Sequence, residues 1–449
     1  MASIFYEITG RKFEEYDGEQ LIPNTRMLNR GMHMRKLTAV LLGAGDRGAY
    51  AYGPYALDHP NEIEFVAVAD SDKVRRNHFA KEHHIEESHC FEDWRDVLGQ
   101  SKMADVIMIC MQDQLHYEPA IAALNKGYHV LLEKPMSPNR EECVEMTKVA
   151  EENKRLLTIC HVMRYSPFWS AIKAHIERGD IGKVISIQLN ENIGHLHMAH
   201  SYVRGNWRNS DLASPMILQK SCHDVDIISW LIDSDCKSIN SYGALSLFKE
   251  ENAPQGSTEY CLDGCEVADQ CPYYAPDFYL SDVNWARKVT NDLSREGIIA
   301  ALKDGPYGKC VYHSDNNVVD HQVVNMAFEG GETAVFSMCG LTHDNTRVVQ
   351  INGTKGEISG KWMTNQFTLS DFVTGDQKQV TVKVSNSGHG GSDSELMKHF
   401  VRQVHAFEAT HEQGLTSARA SLKSHLMAFT AEQSRLNDGQ PVKIEEMYQ

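Results

Sequence analysis

The sequence predicts an α/β chain in which an N-terminal Rossmann dinucleotide-binding domain is followed by an α+β domain with a mostly antiparallel open sheet. Three observations carry that reading. Short apolar runs alternate with helical stretches over residues 36–161. The first of these runs ends in Gly43-Ala44-Gly45-Asp46-Arg47-Gly48, a glycine-rich turn that opens a helix. After residue 161 the pattern changes to strands joined by tight turns.

Composition sets the bounds. The 449 residues are 42% hydrophobic and 23% charged, globular proportions with room for two or three domains of ~100–200 residues. Lys plus Arg number 44 against 61 Asp plus Glu, a formal net charge of −17. That balance argues against a nucleic-acid binder, which needs a basic face, and against a polybasic membrane-surface protein. No apolar run reaches the ~18–20 residues that span a bilayer, and the start lacks the charged-then-apolar layout of a signal peptide. The 11 cysteines are odd in number and scattered, which fits a reducing cytoplasm.

Residues 1–34 read as an extension: polar, carrying Pro23 and Gly31, without a sustained period, and with Met27, Met32 and Met34 as alternative starts. No function is assigned to them. Residues 35–161 form the expected Rossmann domain. KLTAVLL at 36–42 is nearly continuous in apolar character, as a parallel strand buried on both faces should be. EIEFVAVAD at 62–70 gives a second strand and residues 73–84 a helix. DVIMICM at 105–111 is a third strand, backed by a helix at 117–126, and HVLL at 129–132 a fourth. Pro138 then opens a helix through Lys154, a favourable first-turn position for proline. Residues 156–161 are a fifth strand.

Residues 162–449 form the α+β domain. A helix at 166–178 precedes VISIQLN at 184–190, which alternates like a half-buried strand, and another helix spans 223–232. Hairpins follow at 323–328 with 333–338 and at 348–351 with 357–359, then strands at 366–370 and 379–384. Two amphipathic helices, near 395–408 and 418–436, close the chain.

The glycine turn gains weight from its context. It follows an apolar strand, opens a helix, and lies 22 residues before Asp70 at the end of the second strand. Gly43 permits the tight turn, Gly45 lets the backbone approach a pyrophosphate, and Gly48 lets the helix pack on the strand. The pyrophosphate would sit at the helix N-terminus. Asp70 would accept hydrogen bonds from the adenosine ribose and repel a 2′-phosphate, which favours NAD over NADP. Arg75 and Arg76, a turn further on, keep NADP open. Glu133-Lys134-Pro135 follows the fourth strand, where open α/β sheets bind ligands. A lysine there can donate a hydrogen bond or share a proton with a substrate hydroxyl.

These segments resemble the glucose–fructose oxidoreductase/inositol dehydrogenase family, often written Gfo/Idh/MocA. The resemblance rests on the glycine turn, Asp70, the segment around His116, and HVLLEKP at 129–135. It extends to HVMRY at 161–165, GDIGK at 179–183, CHDVD at 222–226 and NGTKG at 352–356, in order across most of residues 35–400. It implies NAD-dependent hydride transfer between a nicotinamide and a carbinol of a sugar, glycoside or polyol. It also implies a homo-oligomer, dimer or tetramer, built through the open sheet. It assigns catalysis to Lys134 and His223, the histidine as base and the lysine as stabiliser of the developing alkoxide. Asp46, Arg47, His116 and Glu133 join the glycines, Asp70 and Lys134 as cofactor contacts, and Arg164 and Tyr165 join the substrate set. The sequence departs from the family at one position: many members carry an aspartate four residues before the histidine, and here it is Gln219, followed by Lys220. That departure suggests a different subgroup. It is compatible with a second reading, a redox-neutral NAD-dependent glycoside hydrolase working by transient oxidation, elimination, hydration and re-reduction. A third reading, a nucleotide-binding regulator without catalysis, conflicts with intact Lys134 and His223.

GHLHMAHSYVRGNWR at 194–208 combines aromatic and polar groups as carbohydrate sites do, so His195, His197, Trp207 and Arg208 are expected substrate residues beside Gln219. His195 and His197 on alternate strand positions would share a face, but no nearby carboxylate completes a metal site. Cys261, Cys265 and Cys271, with Cys310 further on, are the candidates for a structural zinc, against free thiols. Before the helix near 395, Ser392 or Asp393 is the expected cap, with His389 as an alternative closure over substrate.

Overall fold

The computed structural model describes residues 11–16, 35–384 and 391–444. Two sheets organise them. The first is six-stranded and parallel throughout, built from β2 (Leu37–Leu42), β3 (Ile63–Ala69), β4 (Cys90–Phe91), β5 (Val106–Ile109), β6 (His129–Leu132) and β7 (Leu157–Ile159). Its order is β4-β3-β2-β5-β6-β7, so the chain reverses direction across the sheet between β2 and β5. That reversal leaves a crevice at the carboxyl ends of β2 and β5, where the glycine turn lies.

The apolar run of β2 is explained by burial on both faces. Leu37, Ala39 and Leu41 enter one core, and Val40 and Leu42 the other. The C-terminal helices complete both layers. Leu396, Met397, Phe400, Val401 and Val404 of helix Ser392–Thr410 join the first core. Leu422 and Leu426 of helix Ala418–Leu436 join the second, while Met427, Ala428 and Ala431 of the same helix pack under the other sheet. Each such large side chain contributes roughly 1.5–3 kcal/mol. The last helix is therefore a shared wall between the two sheets.

The second sheet adds β1 (Arg11–Tyr16), β8 (Val184–Asn192), β9 (Cys236–Ala244), β10 (His321–Phe328), β11 (Thr333–Cys339), β12 (Thr346–Gly353), β13 (Gly356–Lys361), β14 (Gln366–Asp371), β15 (Gln377–Val382) and β16 (Val442–Lys443). It runs β1-β15-β14-β13-β12-β8-β11-β10-β9-β16 and is antiparallel except at β8–β11 and β1–β15. One face packs on the core and the other is open, with Tyr242, Val335 and Val348 exposed.

Several local expectations change. Residues 11–16, inside the extension, form an edge strand parallel to β15; backbone pairing alone defines an edge strand, so no periodicity marked it. The rest of the first 34 residues lies outside the described residues, as do His389 and Gly390. Pro138 does not open its helix: Asn139 caps it, its side chain accepting from the backbone of Glu141 and Glu142 at 2.8 and 3.3 Å. Gly391, with φ +90°, is the N-cap of helix Ser392–Thr410, so neither Ser392 nor Asp393 fills that position. Residues 195–204 are helical, not extended, so His195 and His197 do not share a strand face. The polar run of β9 and the short helices Ala275–Ser281, Val283–Ala286 and Arg295–Asp304 lack sequence periodicity strong enough to have marked them.

Two buried imidazoles act as backbone acceptors. Leu156 N–H donates to His129 Nδ1 at 3.0 Å, and Met136 N–H to His425 Nε2 at 2.9 Å. Burial pushes His129 down to about 4 and His425 to about 3, from an ordinary value of 6.5. Between those values the unfolded chain binds protons that the folded chain refuses, so stability is present above pH ~6.5 and is lost as pH falls toward ~4. The thermal midpoint should hold level above neutrality and decline steadily below pH ~6.5; a midpoint unchanged down to pH ~4.5 would contradict this assignment.

Candidate active site

The site grows from the carboxyl ends of the parallel strands. Gly43 has φ +94°, and a Cβ there would stand 2.6 Å from Cys110 O. At Gly48 a Cβ would fall 2.2 Å from Gly43 O and 2.9 Å from Leu41 Cδ1, so the helix seats on β2 only with glycine. Gly45 has no atom within 4 Å of where its Cβ would be. That open cradle fits a pyrophosphate against the backbone. Asp70, at the end of β3, accepts from Ala44 N–H and Asp72 N–H, each at 2.8 Å, and so ties the turn to the neighbouring strand. Arg75 Nη2 donates to its Oδ1 at 3.1 Å, and Arg76 to its backbone carbonyl.

Arg47, about a quarter exposed, is committed to carboxylate partners. Its Nε donates to Glu133 Oε1 and one Nη to Asp393 Oδ1, both at 2.7 Å, and Tyr52 OH donates to Glu133 at 2.5 Å. Burial raises the Glu133 carboxyl, but the Arg47 and Lys134 charges and the hydrogen bonds from Tyr52 and Arg47 outweigh it, so Glu133 stays below the usual carboxylate range. The Arg47 guanidinium thus clamps Glu133 and helix Ser392–Thr410 to the glycine turn. Asp46, the turn's first helical residue, begins the helix.

Glu133 Oε2 in turn accepts from Lys134 N–H at 3.0 Å. Lys134 Nζ donates to the backbone carbonyl of Gln219 at 2.5 Å, just before helix Cys222–Ile232, which carries His223. His116 is fully buried, Nδ1 against Pro135 O at 2.8 Å and Nε2 against Met111 O at 3.0 Å. Both nitrogens face carbonyls, so His116 braces the Lys134 loop. His223 is 8% exposed, its ring packed edge-on to His161 at 5.8 Å.

The expected substrate residues divide. Arg164 is buried and grips Asp226 with two bonds, 2.6 and 2.7 Å, while a third reaches Leu415 O at 3.0 Å. Tyr165 is buried against Thr416 Oγ1 at 3.0 Å. Arg208 holds Asp315 at 2.6 and 3.1 Å. All three already have hydrogen-bond partners in this arrangement. Gln219 Nε2 donates to Trp207 O at 2.8 Å, joining the Lys134 contact to the half-buried Trp207. Tyr202 bridges Trp207 and His197, with ring centroids 6.4 and 5.9 Å away. His197 accepts from Asn345 Nδ2 at 3.3 Å, and its ring lies 5.4 Å from Trp285. His195 packs against Tyr273 at 5.6 Å.

A buried charge cluster beneath the site went unseen in the sequence. Lys220 meets Glu191 at 3.1 Å, and Arg347 meets Glu191 at 2.7 Å and Asp224 at 2.6 Å. Burial raises the Glu191 carboxyl, but the Arg347 and Lys220 charges pull it below its usual range; Asp224 is pushed up by burial and the Glu191 charge. The members come from β8, β12, helix Cys222–Ile232 and the turn before it, so no local spacing could mark them.

Cys261, Cys265, Cys271 and Cys310 line one small cavity. The zinc expectation is nevertheless corrected. All four are free thiols, and among the described residues no group of three or more His, Cys, Asp or Glu side chains is placed to hold a metal ion. Arg204, 1% exposed, lines the same cavity with Nη2 3.7 Å from Cys261 Sγ, and a buried guanidinium opposes a second cation there.

Residues 37–161 match the family described as oxidoreductase family, NAD-binding Rossmann fold, and residues 173–444 its C-terminal alpha/beta domain. YteT of Bacillus subtilis (strain 168), whose name calls it an oxidoreductase, is 24% identical over 363 residues, 75% of this chain and 81% of its own length. Inositol 2-dehydrogenase of Salmonella typhimurium is 25% identical over 182 residues, 40% of this chain, and the match spans 50% of that enzyme. The solved structure of levoglucosan dehydrogenase with NADH and levoglucosan superposes with a TM-score of 0.67 at 15% identity, over 91% of this chain and 100% of that one. At that identity the likeness is one of fold.

The Arg164–Asp226 pair gives a direct check. Arg164→Ala leaves a buried carboxylate unpaired and should lower the unfolding free energy by about 3–5 kcal/mol in urea titration. A loss below about 1 kcal/mol together with a selective rise in KM would return Arg164 to the substrate set.

Proposed function

Because the chain belongs to the Gfo/Idh/MocA oxidoreductase family, we propose that it transfers a hydride between NAD and a carbinol of a sugar, glycoside or polyol. The observation that carries this reading is Lys134 Nζ held 2.5 Å from Gln219 O at the entrance of the helix that presents His223. Gly43, Gly45 and Gly48 would cradle the pyrophosphate, and Asp70 the adenosine ribose hydroxyls. When bound, the nicotinamide supplies the hydride acceptor. Lys134 donates a hydrogen bond to the carbinol oxygen and stabilises the charge that develops there. His223 takes the hydroxyl proton. Trp207, half-buried and packed on Tyr202, offers an apolar face to a sugar ring. The Asp70 carboxylate favours NAD, since a 2′-phosphate would meet it at close range.

Gln219 supports the redox-neutral glycosidase as the second reading. Its amide carries no charge with which to tune His223, and it holds Trp207 O at 2.8 Å. We further infer self-association through the open sheet face at Tyr242, Val335 and Val348, and a cytoplasmic setting that keeps the thiols reduced. Among the described residues no helix is long and apolar enough to cross a membrane.

The deciding assay mixes the protein with NAD and a panel of free sugars, polyols and chromogenic glycosides, reading NADH and released aglycone together. NADH rising with substrate consumed is the expected result; aglycone without net NADH would replace it with the second reading. Lys134→Met and His223→Asn should each lower kcat by ~10²–10⁴-fold while NAD still quenches tryptophan fluorescence. Unchanged turnover in both would sink the assignment. Asp70→Ser should lower kcat/KM for NAD and raise it for NADP, and a preference for NADP in the unaltered protein would overturn the cofactor choice.

A further inference from the structure

His161 lies just past β7, at the carboxyl end of the parallel sheet, and its side chain is fully buried. Neither ring nitrogen meets a hydrogen-bond partner. Buried polar groups are almost always bonded, so two unbonded nitrogens in one ring call for a role. The surroundings of the ring supply one. From helix Cys222–Ile232, the His223 ring stands 5.8 Å away at 79°, and Asp226 Oδ1 lies 3.9 Å from His161 Nε2. From the last helix, His425 stands 5.4 Å away, its two nitrogens already bonded to Met136 N–H and Ser421 O. Arg164, Lys134 and Glu133 complete the charged groups around the ring.

We propose that His161 is a positioning residue that couples His223 to the buried carboxylate of Asp226. The inference rests on the reading of His223 as proton acceptor. A modest rotation brings Nε2–H onto Asp226 Oδ1, which fixes that tautomer and leaves the Nδ1 lone pair for His223. When the carbinol proton reaches one nitrogen of His223, the N–H on its other nitrogen donates to that lone pair more strongly. No proton leaves His161. The charge on His223 is stabilised by a neutral ring that Asp226 polarises, the logic by which a buried carboxylate orients a catalytic histidine. Burial holds His161 down at about 4 even though the Asp226 charge opposes it, so the ring is neutral at working pH.

The test is ¹⁵N-histidine NMR of the full chain across pH, compared in wild type, His161→Phe and His161→Gln. In wild type His161 should keep one neutral tautomer, protonated at Nε2, above pH ~5. Removing the ring withdraws stabilisation from protonated His223, so the His223 midpoint should fall by about one pH unit in His161→Phe. His161→Gln, which keeps a donor and an acceptor, should recover part of that shift. With a substrate found in the coupled assay, kcat should drop tenfold or more, KM should stay within about twofold, and the acid limb of kcat/KM should move to lower pH. A merely structural role would lower the thermal midpoint and leave the limb in place. A His161 that protonates near pH 6.5 in wild type, or an unshifted His223 midpoint in both variants, overturns the inference. Full turnover in His223→Asn would instead remove the reading it rests on.

Discussion

The buried ion pair between Arg164 and Asp226 is the interaction on which the site depends. Arg164 follows the last parallel strand, and Asp226 lies one turn past His223 on its helix. Their two bonds, with Leu415 O and Ser424 Oγ as further partners, join the parallel sheet, the helix of the second sheet and the C-terminal segment at one point. Two charges removed from water are tolerated there because each finds several partners. Lys134 follows a strand of the parallel sheet and His223 lies on a helix of the second domain, so how the two segments sit together is only as firm as that joint.

The same rule governs the charges around it. Arg47 is matched by Glu133 and Asp393, and Lys220 and Arg347 by Glu191 and Asp224. Both clusters lie where the dielectric is low, so each fixes its neighbours strongly. The first sets the loop that carries Lys134. The second sits under Gln219 and His223. These loops are thereby held in place by internal charge pairing alone.

The parallel sheet was legible because burial on both faces leaves a plain mark: KLTAVLL and DVIMICM are apolar on every side. The glycine turn was legible because close backbone approach excludes every other residue at Gly43 and Gly48. The polar strand β9, the edge strand at 11–16 and the helical turns at 195–204 were not, since backbone pairing or tertiary packing defines them. Arg164, Arg208 and His116 look in sequence like ligand-binding residues, because a buried bonded group and an exposed recognition group use the same chemistry.

The sequence by itself determined the two-part architecture and the place of the dinucleotide turn and of Asp70, because periodicity and short-range spacing encode those. Tertiary structure alone decided which charged side chains face inward, that the last helix walls both sheets, and that His161 and Asp226 stand behind His223. Those facts join residues tens to hundreds of positions apart, and the free energy that selects them comes from burial and charge pairing, which leave no local mark in the chain.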